Sequence, residues 1–325
     1  MEQAARIEGA VFGQACGDAL GYPIEFVRGI PKTAAWPEGE SVPYTDDTQM
    51  ALCVADALSD AGTEFGAFME ALVTKFVAWS GSDENRYAPG LTCMEGCRRL
   101  EEGVAWHLSG SRLSKGCGAN MRVAPVGLVF ASDDERLEAY AFGQAFATHA
   151  HPTAPAAAVA TAHAVRLLLE GVPPADLRAR LLEAAEKHID RSRYWRDFLR
   201  SRIPAEEIER EYVERGWDEV GRAISKAGGD HDAPHLTLGE GWTAESALAL
   251  ATHFLIRADG NYKRCVTDAA EGSGDSDSVA AIAGAFAGVH RGIEAVPGKW
   301  AQTVANGERL KEAAAALAKT RRALA

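Results

Sequence analysis

Two short acidic segments combine residue types that could hold metal ions. Each places two acids and one hydroxyl residue before an apolar helical pattern: Thr45, Asp46 and Asp47 in YTDDTQMAL, and Asp275, Asp277 and Ser278 in GSGDSDSVAAIAG. Carboxylate and hydroxyl oxygens are the ligands that hard divalent cations prefer. Four carboxylates, one Thr and one Ser would suit two such ions about 3.5–4 Å apart, the spacing of a two-metal site. Because almost no His or Cys lies near either segment in the sequence, zinc is disfavoured.

Each acidic segment also admits a plainer interpretation as a helix cap. Asp and Thr are common N-caps, and the first segment precedes a helix that we expect to begin near Gln49. One side-chain acceptor is enough to cap a helix, and a second acid beside the first carries an electrostatic cost unless a positive charge holds the pair. In the second segment Asp275 lies beyond the cap, where the helix does not need it. The doubled acids therefore favour metal binding over capping.

The elements around these segments are predicted to be helices. Apolar and small residues recur at helical spacing in ARIEGAVFGQACGDALG, TQMALCVADALSDA, EFGAFMEALVTKFVAWSG and SVAAIAGAFAGVHRGIE. Two highly charged helices are expected over 174–202 and 205–229. No alternating strand pattern, fixed-period repeat or Ser/Gly/Pro linker interrupts this series. The sequence predicts an all-α fold with one domain over 1–325, and the acidic segments, about 230 residues apart, meet only if that domain folds back on itself.

Composition narrows the class of partner. Against 34 Lys and Arg stand 46 Asp and Glu, a formal charge of -12 that makes nucleic acid an unlikely partner and argues against an anionic membrane surface. The longest apolar run is too short to span a bilayer, which takes roughly 20 residues. The N-terminus lacks the pattern of a signal peptide. The six cysteines form no Cys-x-x-Cys pair, which fits a reducing compartment, and we expect a cytoplasmic protein.

Six stretches, in order, resemble the ADP-ribosylglycohydrolase family. They run from residue 9 to about residue 300: GAVFGQACGDALGYPIEF, YTDDTQMAL, KGCGANMRVAPVGL, THAHPTA, GEGWTAESALALA and GSGDSDSVAAIAGAFAGVHRG. The resemblance implies a compact orthogonal helical bundle with two Mg²⁺ or Mn²⁺ ions at the base of an ADP-ribose cleft. It implies that the ligands of one ion are Thr45, Asp46 and Asp47 and those of the other Asp275, Asp277 and Ser278, with one acid bridging.

Glu25, in GYPIEF, falls where the family places a functional glutamate. The resemblance implies that Glu25 is catalytic, because a carboxylate there could hold a water or a ribose hydroxyl as general acid or base. From local sequence alone, a solvated loop acid explains Glu25 better. The loop GSDENRYAPGLT has no clear alignment to the family, and we expect it to shape substrate choice.

The segment KGCGANMRVAPVG reads as a glycine-rich loop entering a helix, where backbone N–H groups can receive phosphate. Gly116, Gly118 and Asn120 are the candidate substrate-binding residues of this loop, although a plain turn explains it equally well. The family commonly has Asn where this chain has Cys117, and a small residue where it has Asn120. Arg122 would pair with phosphate or bridge helices from the inside.

One histidine and two tryptophans are the other side chains with an expected role. The family resemblance places His149, in THAHPTA, near the ligand, where it would touch phosphate or ribose; the alternative is a helix-end hydrogen bonder. Trp242 and Trp300 are predicted to be structural.

The resemblance implies a metal-dependent hydrolase that removes ADP-ribose from an acceptor at the ribose anomeric carbon. Its partners would be an ADP-ribosylated protein or small-molecule conjugate, with ADP-ribose as product. Arginine is the favoured acceptor, while serine, an acetyl ester, guanidine or a nucleic-acid end stay open. The alternatives are a non-catalytic ADP-ribose-binding or crystallin-like member and a two-metal pyrophosphate or phosphoester hydrolase.

Overall fold

The computed structural model describes residues 2–61, 64–130, 133–200 and 210–324, with the backbone alone for 188–200 and 210–213. Across these residues it contains α-helices, short 3-10 turns and isolated bridges but no strand. The helices are α1 Gln3–Gly21, α2 Asp46–Ala61, α3 Phe65–Ser80, α4 Leu91–Glu101, α5 Trp106–Ser109, α6 Ala124–Val129, α7 Asp134–Phe146, α8 Thr153–Leu169, α9 Pro174–Arg200, α10 Arg210–Ile224, α11 Pro234–Leu238, α12 Ala244–Arg257, α13 Tyr262–Glu271, α14 Ser276–Arg291, α15 Gly298–Thr303 and α16 Gly307–Leu324.

The predicted all-α fold is confirmed. The two charged helices appear as α9 and α10, although the predicted residues 201–202 and 205–209 lie outside the described ranges. One boundary was wrong: α2 begins at Asp46, not near Gln49, so both acids of the first segment lie in its first turn. Within the described residues, no helix combines the length and the apolar character needed to cross a membrane.

Helices α1 and α14 pack antiparallel with their backbones in direct contact. A Cβ atom added to Gly13 would lie 2.3 Å from the carbonyl oxygen of Gly284, and one added to Gly17 would lie 2.1 Å from that of Ala280. A Cβ on Gly21 would meet the carbonyl oxygen of Ser276 at 2.3 Å. Small residues every four positions thus let the two axes approach more closely than larger side chains allow. This contact brings the end of α1 to the start of α14, where the second acidic segment lies.

We expect Gly13→Ala to destabilise the fold. The new methyl group would meet the Gly284 carbonyl, a backbone atom that cannot rotate away, and overpacking of this kind costs about 1–3 kcal/mol. The matched control is Gly66→Ala in α3, where an added Cβ meets nothing within 4 Å; replacing a helical Gly by Ala there should stabilise by up to about 1 kcal/mol. Denaturant unfolding measures both, and equal stability of the two variants would contradict the backbone contact.

Candidate functional site

The four acids of the two sequence segments lie buried at two helix starts. Asp46 and Asp47 occupy the first turn of α2, Asp275 immediately precedes α14, and Asp277 lies in its first turn. None of the four is more than 6% exposed. The positive end of a helix dipole favours a carboxylate at such a position, but burial of four acids in one region needs a further compensating charge.

The cap of α2 comes from Asp18 of α1. The Asp18 carboxylate accepts hydrogen bonds from the Thr45 N–H at 2.9 Å, the Thr48 N–H at 3.1 Å and the Thr48 hydroxyl at 2.6 Å. The orphan N–H groups of a helix start need such acceptors. Because Asp18 supplies them, Asp46 and Asp47 are not needed as caps. Asp275 likewise makes no side-chain cap bond to α14, so capping does not account for Asp46, Asp47 or Asp275.

The acids of the second segment form one group with Glu25, and those of the first segment lie close enough to feel the charge of Asp277. One carboxylate oxygen each from Glu25, Asp275 and Asp277 can be chosen so that all three lie within 4.8 Å of one another. Burial, followed by the charges of Asp277 and Asp275, raises the pKa of Glu25 to about 9. Burial also raises the pKa of Asp46 to about 7. The pKa of Asp47 is raised by burial and by its acidic neighbours, with Asp277 first among them.

This donor set fits divalent cations. Mutual repulsion among buried carboxylates is relieved by a bound positive charge, and oxygen donors suit Mg²⁺ or Mn²⁺. The buried Oδ1 of Asp47 has no hydrogen-bond partner, which leaves it available as a ligand atom. The Thr45 hydroxyl donates to the other Asp47 oxygen at 3.3 Å.

Two polar residues that the sequence did not single out fix the backbone around these acids. The buried Nζ of Lys32 donates to the carbonyl oxygens of Gly274 at 2.7 Å and Glu25 at 2.9 Å, and so ties the Glu25 turn to the start of α14. The amide of Gln14 donates to the carbonyl oxygens of Met121 at 2.7 Å and Asp47 at 3.2 Å. The sequence signal for Gln14 is that its polar side chain stands between small and apolar residues of α1.

We expect Lys32→Met to lower the free energy of unfolding by about 1–3 kcal/mol, because the buried carbonyl of Gly274 and the part-buried carbonyl of Glu25 lose their donor. The loss should be larger in chelator than with Mg²⁺ or Mn²⁺, since Lys32 also offsets the charges of Asp277 and Glu25. The control is Lys299→Met, at an exposed position, which should stay within about 0.5 kcal/mol of the parent. Denaturant unfolding in both conditions provides the measurement, and an unchanged midpoint for Lys32→Met would contradict this positioning role.

The glycine-rich loop reaches the acids, and His149 packs beneath it. A Cβ on Gly118 would lie 2.8 Å from Cε1 of His149, and one on Gly116 would lie 3.4 Å from Nε2 of the same ring. Burial, with a further contribution from the charge of Arg122, lowers the pKa of His149 to about 3, so the imidazole is neutral at pH 7. Arg122 donates to the Thr148 hydroxyl, which lies 2.8 Å from Nδ1 of His149. If Thr148 donates its proton to Nδ1, the ring hydrogen stays on Nε2, the nitrogen nearer the loop.

Two polar residues of the same loop serve packing. Asn120 is buried, and its Nδ2 donates to the carbonyl oxygen of Ala244 at 2.7 Å, so its side chain holds the loop to α12. The guanidinium of Arg122 is fully buried, donates to both oxygens of Gln144 and lies 4.5 Å from the Phe76 ring centroid. Of the two roles considered for Arg122, the structure shows the inward bridge between helices.

The expectation that almost no Cys lies near the acids is corrected by the position of Cys117. Its Sγ is 2.9 Å from Oδ2 of Asp275 and 3.4 Å from the hydroxyl of Ser278. Burial and the charge of Asp275 raise the pKa of this thiol well above its usual range. The sequence concealed the contact because 158 residues separate Cys117 from Asp275.

An open cavity of about 410 Å³ gives access to Glu25 from the surface. Glu240, Lys32 and Trp242 are among its lining residues. The Trp242 side chain is 43% exposed, and its Nε1 donates to Glu240 at 3.3 Å. The structural role predicted for Trp242 is therefore incomplete, because the indole also forms part of the cavity surface.

The loop after α3 contacts the first acidic segment directly. The Gly90 N–H donates to Oδ2 of Asp46 at 3.0 Å, and the Tyr87 ring packs edge-to-face on Tyr22 at 5.9 Å between centroids. A ligand at Asp46 would lie beside this loop, and the influence of the loop on substrate choice stays a prediction.

Fold and site together define a class: an all-α protein with a carboxylate-lined cleft built from helix starts. The chain belongs to the ADP-ribosylglycohydrolase family, whose model matches residues 1–324. That membership identifies it as an ADP-ribosyl hydrolase in class.

Known proteins similar to this chain bear out the assignment. The ADP-ribosyl-[dinitrogen reductase] glycohydrolase of Rhodospirillum rubrum is 25% identical over 91% of this chain and 88% of that protein. The ADP-ribosylarginine hydrolase Tri1 of Pseudomonas putida is 27% identical over 95% of this chain and 76% of that protein. A solved structure named ADP-ribosylglycohydrolase-related protein complex superposes with a TM-score of 0.69 at 25% identity, and covers 98% of this chain and 99% of that one.

Proposed function

We propose that this chain is a metal-dependent hydrolase that releases ADP-ribose from an arginine-linked acceptor. The observation that carries the proposal is the cluster of Glu25, Asp275 and Asp277, which lies close enough to Asp46 and Asp47 for the charge of Asp277 to add to the effect of burial in raising the pKa of both. Helix capping does not account for these acids, since Asp18 supplies the cap of α2. The names of the relatives favour the ADP-ribosyl substrate, and the name Tri1 favours arginine.

We infer that the ligands of two Mg²⁺ or Mn²⁺ ions are Thr45, Asp46 and Asp47 on one side and Asp275, Asp277 and Ser278 on the other. Bound ions of this kind orient hydroxyl groups and water and stabilise negative charge that develops during reaction. The chain's own contribution is to keep these ligands fixed. Asp18 holds the start of α2, and the glycine contact between α1 and α14 holds the start of α14.

Glu25 is the proposed general acid or base. Glycoside cleavage passes through an oxocarbenium-like transition state, which needs a positioned water and help for the leaving group. Glu25 is half-buried, lines the open cavity and lies in the acid cluster, so it can exchange a proton with a water or a ribose hydroxyl at that boundary. The backbone of Gly116 and Gly118, with a neutral His149 beneath, is the proposed cradle for the phosphates.

The acceptor would lie in the cavity beside Glu25. A guanidinium group is planar and positively charged, and it favours carboxylates and aromatic faces. Glu240 and the exposed indole of Trp242 offer both in the cavity wall. This chemistry supports arginine over a neutral ester acceptor.

The decisive test is a panel of linkage-defined ADP-ribosylated substrates, incubated with chelator, Mg²⁺, Mn²⁺ or Ca²⁺. We expect free ADP-ribose from the arginine-linked substrate with Mg²⁺ or Mn²⁺, little with Ca²⁺, whose bonds are longer and looser, and none with chelator. Full activity of verified metal-free protein would overturn the metal centre. Release of AMP, with ribose phosphate left on the acceptor, would instead identify the pyrophosphate hydrolase, and binding without turnover the non-catalytic member.

We also propose a single domain over 1–325 and a cytoplasmic location. All six cysteines are unbridged, which supports a reducing compartment.

A further inference from the structure

The Cys117 sulfur lies inside the candidate metal centre, and backbone hydrogen bonds hold its turn in place. Cys117 begins a 3-10 turn, and its N–H donates to the carbonyl oxygen of Trp242 at 3.3 Å. Two residues earlier, the carbonyl oxygen of Lys115 accepts from the Ala244 N–H at 2.8 Å. These backbone bonds hold the turn against the segment before α12, so the place of the thiol beside Asp275 follows from the fold of two separate loops.

The atoms nearest the sulfur are those proposed to bind the second ion. They are Oδ2 of Asp275 at 2.9 Å and Oγ of Ser278 at 3.4 Å. A separate observation also marks this region as a ligand site, because the buried Oδ1 of Asp47 has no partner. Asp47 is close enough to Cys117 for its charge to act on the thiol.

We propose that Cys117 makes this centre a binding site for thiophilic divalent ions such as Zn²⁺ and Cd²⁺, with its sulfur as a ligand beside Asp275. The inference rests on the proposed metal centre and concerns which ions that centre takes. Thiolate sulfur selects soft or borderline ions, while Mg²⁺ gains little from it.

The observed spacing is compatible with a shared ion. With bonds of about 2.3 Å to sulfur and about 2.1 Å to oxygen, two ligands of a tetrahedral ion lie roughly 3.6 Å apart. To share an ion, the Cys117 sulfur and the Asp275 oxygen would therefore move apart by less than about 1 Å from their present distance of 2.9 Å. Such a change is within the reach of side-chain rotation.

When a thiophilic ion binds Cys117, a metal–sulfur bond replaces the S–H bond and no electron is transferred. The metal–sulfur bond forms as the S–H bond breaks, and the proton leaves to solvent. A hard ion bound through oxygen alone leaves the S–H intact as a donor to Asp275. Zn²⁺ would then compete with Mg²⁺ or Mn²⁺ for the same acids, and substitution at Cys117 would weaken only the thiophilic competitor.

The test titrates Cd²⁺ into the metal-free full chain and follows the ultraviolet sulfur-to-cadmium charge-transfer band. Mn²⁺ binding is measured in parallel by calorimetry. The variants are Cys117→Ser and Cys117→Asn. The matched control is Cys53→Ser in α2, which removes another half-buried thiol, one that donates to the Lys75 carbonyl.

We expect the band in the parent and in Cys53→Ser, and its loss in both Cys117 variants. Cd²⁺ affinity should fall at least about tenfold in those variants, the lower end of what even an outer-shell change costs a metal site, while Mn²⁺ affinity stays within a few-fold. A band that persists without Cys117, or no band in the parent, overturns the inference. Mn²⁺ binding then separates the two proposals: if Mn²⁺ binds, the metal centre stands without a sulfur ligand, and if it does not, the proposed centre falls as well.

Discussion

Asp277→Asn should lower turnover by several orders of magnitude while the helical fold survives. The substitution keeps the shape of the side chain and removes one negative charge from the cluster. Asp277 lies with Glu25 and Asp275 in the group of close carboxylate oxygens, and its Oδ1 accepts from the Ser278 N–H at 2.9 Å. An amide oxygen is a weaker ligand than a carboxylate, so metal affinity should fall together with turnover. Asp46→Asn should act in the same direction.

The matched control for this experiment is Asp176→Asn. Asp176 also lies in the first turn of a helix, α9, but it is exposed. The measurements are turnover on the best panel substrate, Mn²⁺ affinity by calorimetry, and circular dichroism. If both Asn variants keep parental turnover, the acids are ordinary helix-start residues and the metal centre is refuted.

Glu25→Gln should separate proton transfer from binding. We expect Mn²⁺ and ADP-ribose affinities within a few-fold of the parent, while turnover falls roughly 10²–10⁴-fold, the usual effect of losing a positioned acid or base. The raised pKa of Glu25, about 9 in the absence of a cation, shows how strongly its surroundings act on this carboxyl group. Calorimetry with ADP-ribose and steady-state turnover provide the comparison, with Glu40→Gln at an exposed loop position as control.

Three outcomes for Glu25→Gln have distinct meanings. Unchanged turnover would assign Glu25 to the solvated loop. Proportionate loss of Mn²⁺ affinity and turnover would make Glu25 a metal ligand with Asp275 and Asp277, an arrangement that the cluster geometry also permits. In either case the search for the acid or base would move to Asp83 and Glu84, the two acids of the loop GSDENRYAPGLT after α3.

The all-α fold could be predicted because helical spacing of small and apolar residues is a local signal. The start of α2 could not, since its cap is Asp18, which lies 27 residues before Thr45 and reaches it only in the folded chain. That the acids come together was a hypothesis, based on the fact that each segment has more acids than a helix cap requires. Their proximity depends on the backbone contact between α1 and α14, which no local pattern reveals.

The side-chain directions in the glycine-rich loop were equally hidden. Sequence placed Asn120 among the substrate residues, and the structure turns its amide toward Ala244. In the sequence, Cys117 stands out only because the family commonly has Asn at that position, and the structure places its sulfur against Asp275. Which residues of a short turn face the cleft depends on backbone torsions that the residue types leave undetermined. The roles of Gly116, Gly118, Asn120 and His149 stay predictions that ligand-bound measurements must test.

The glycine contact between α1 and α14 has a consequence for biosynthesis. It joins residues 9–21 to residues 276–292, so α1 must wait during translation for a partner that lies 255 residues further along the chain at Gly21 and Ser276. Contacts this distant in sequence form late, because loop closure costs entropy before the contact repays it. A nascent chain interrupted before Asp275 would carry Asp46 and Asp47 without the opposing acids. Hydrolase activity should therefore appear in one step, only after α14 has been synthesised.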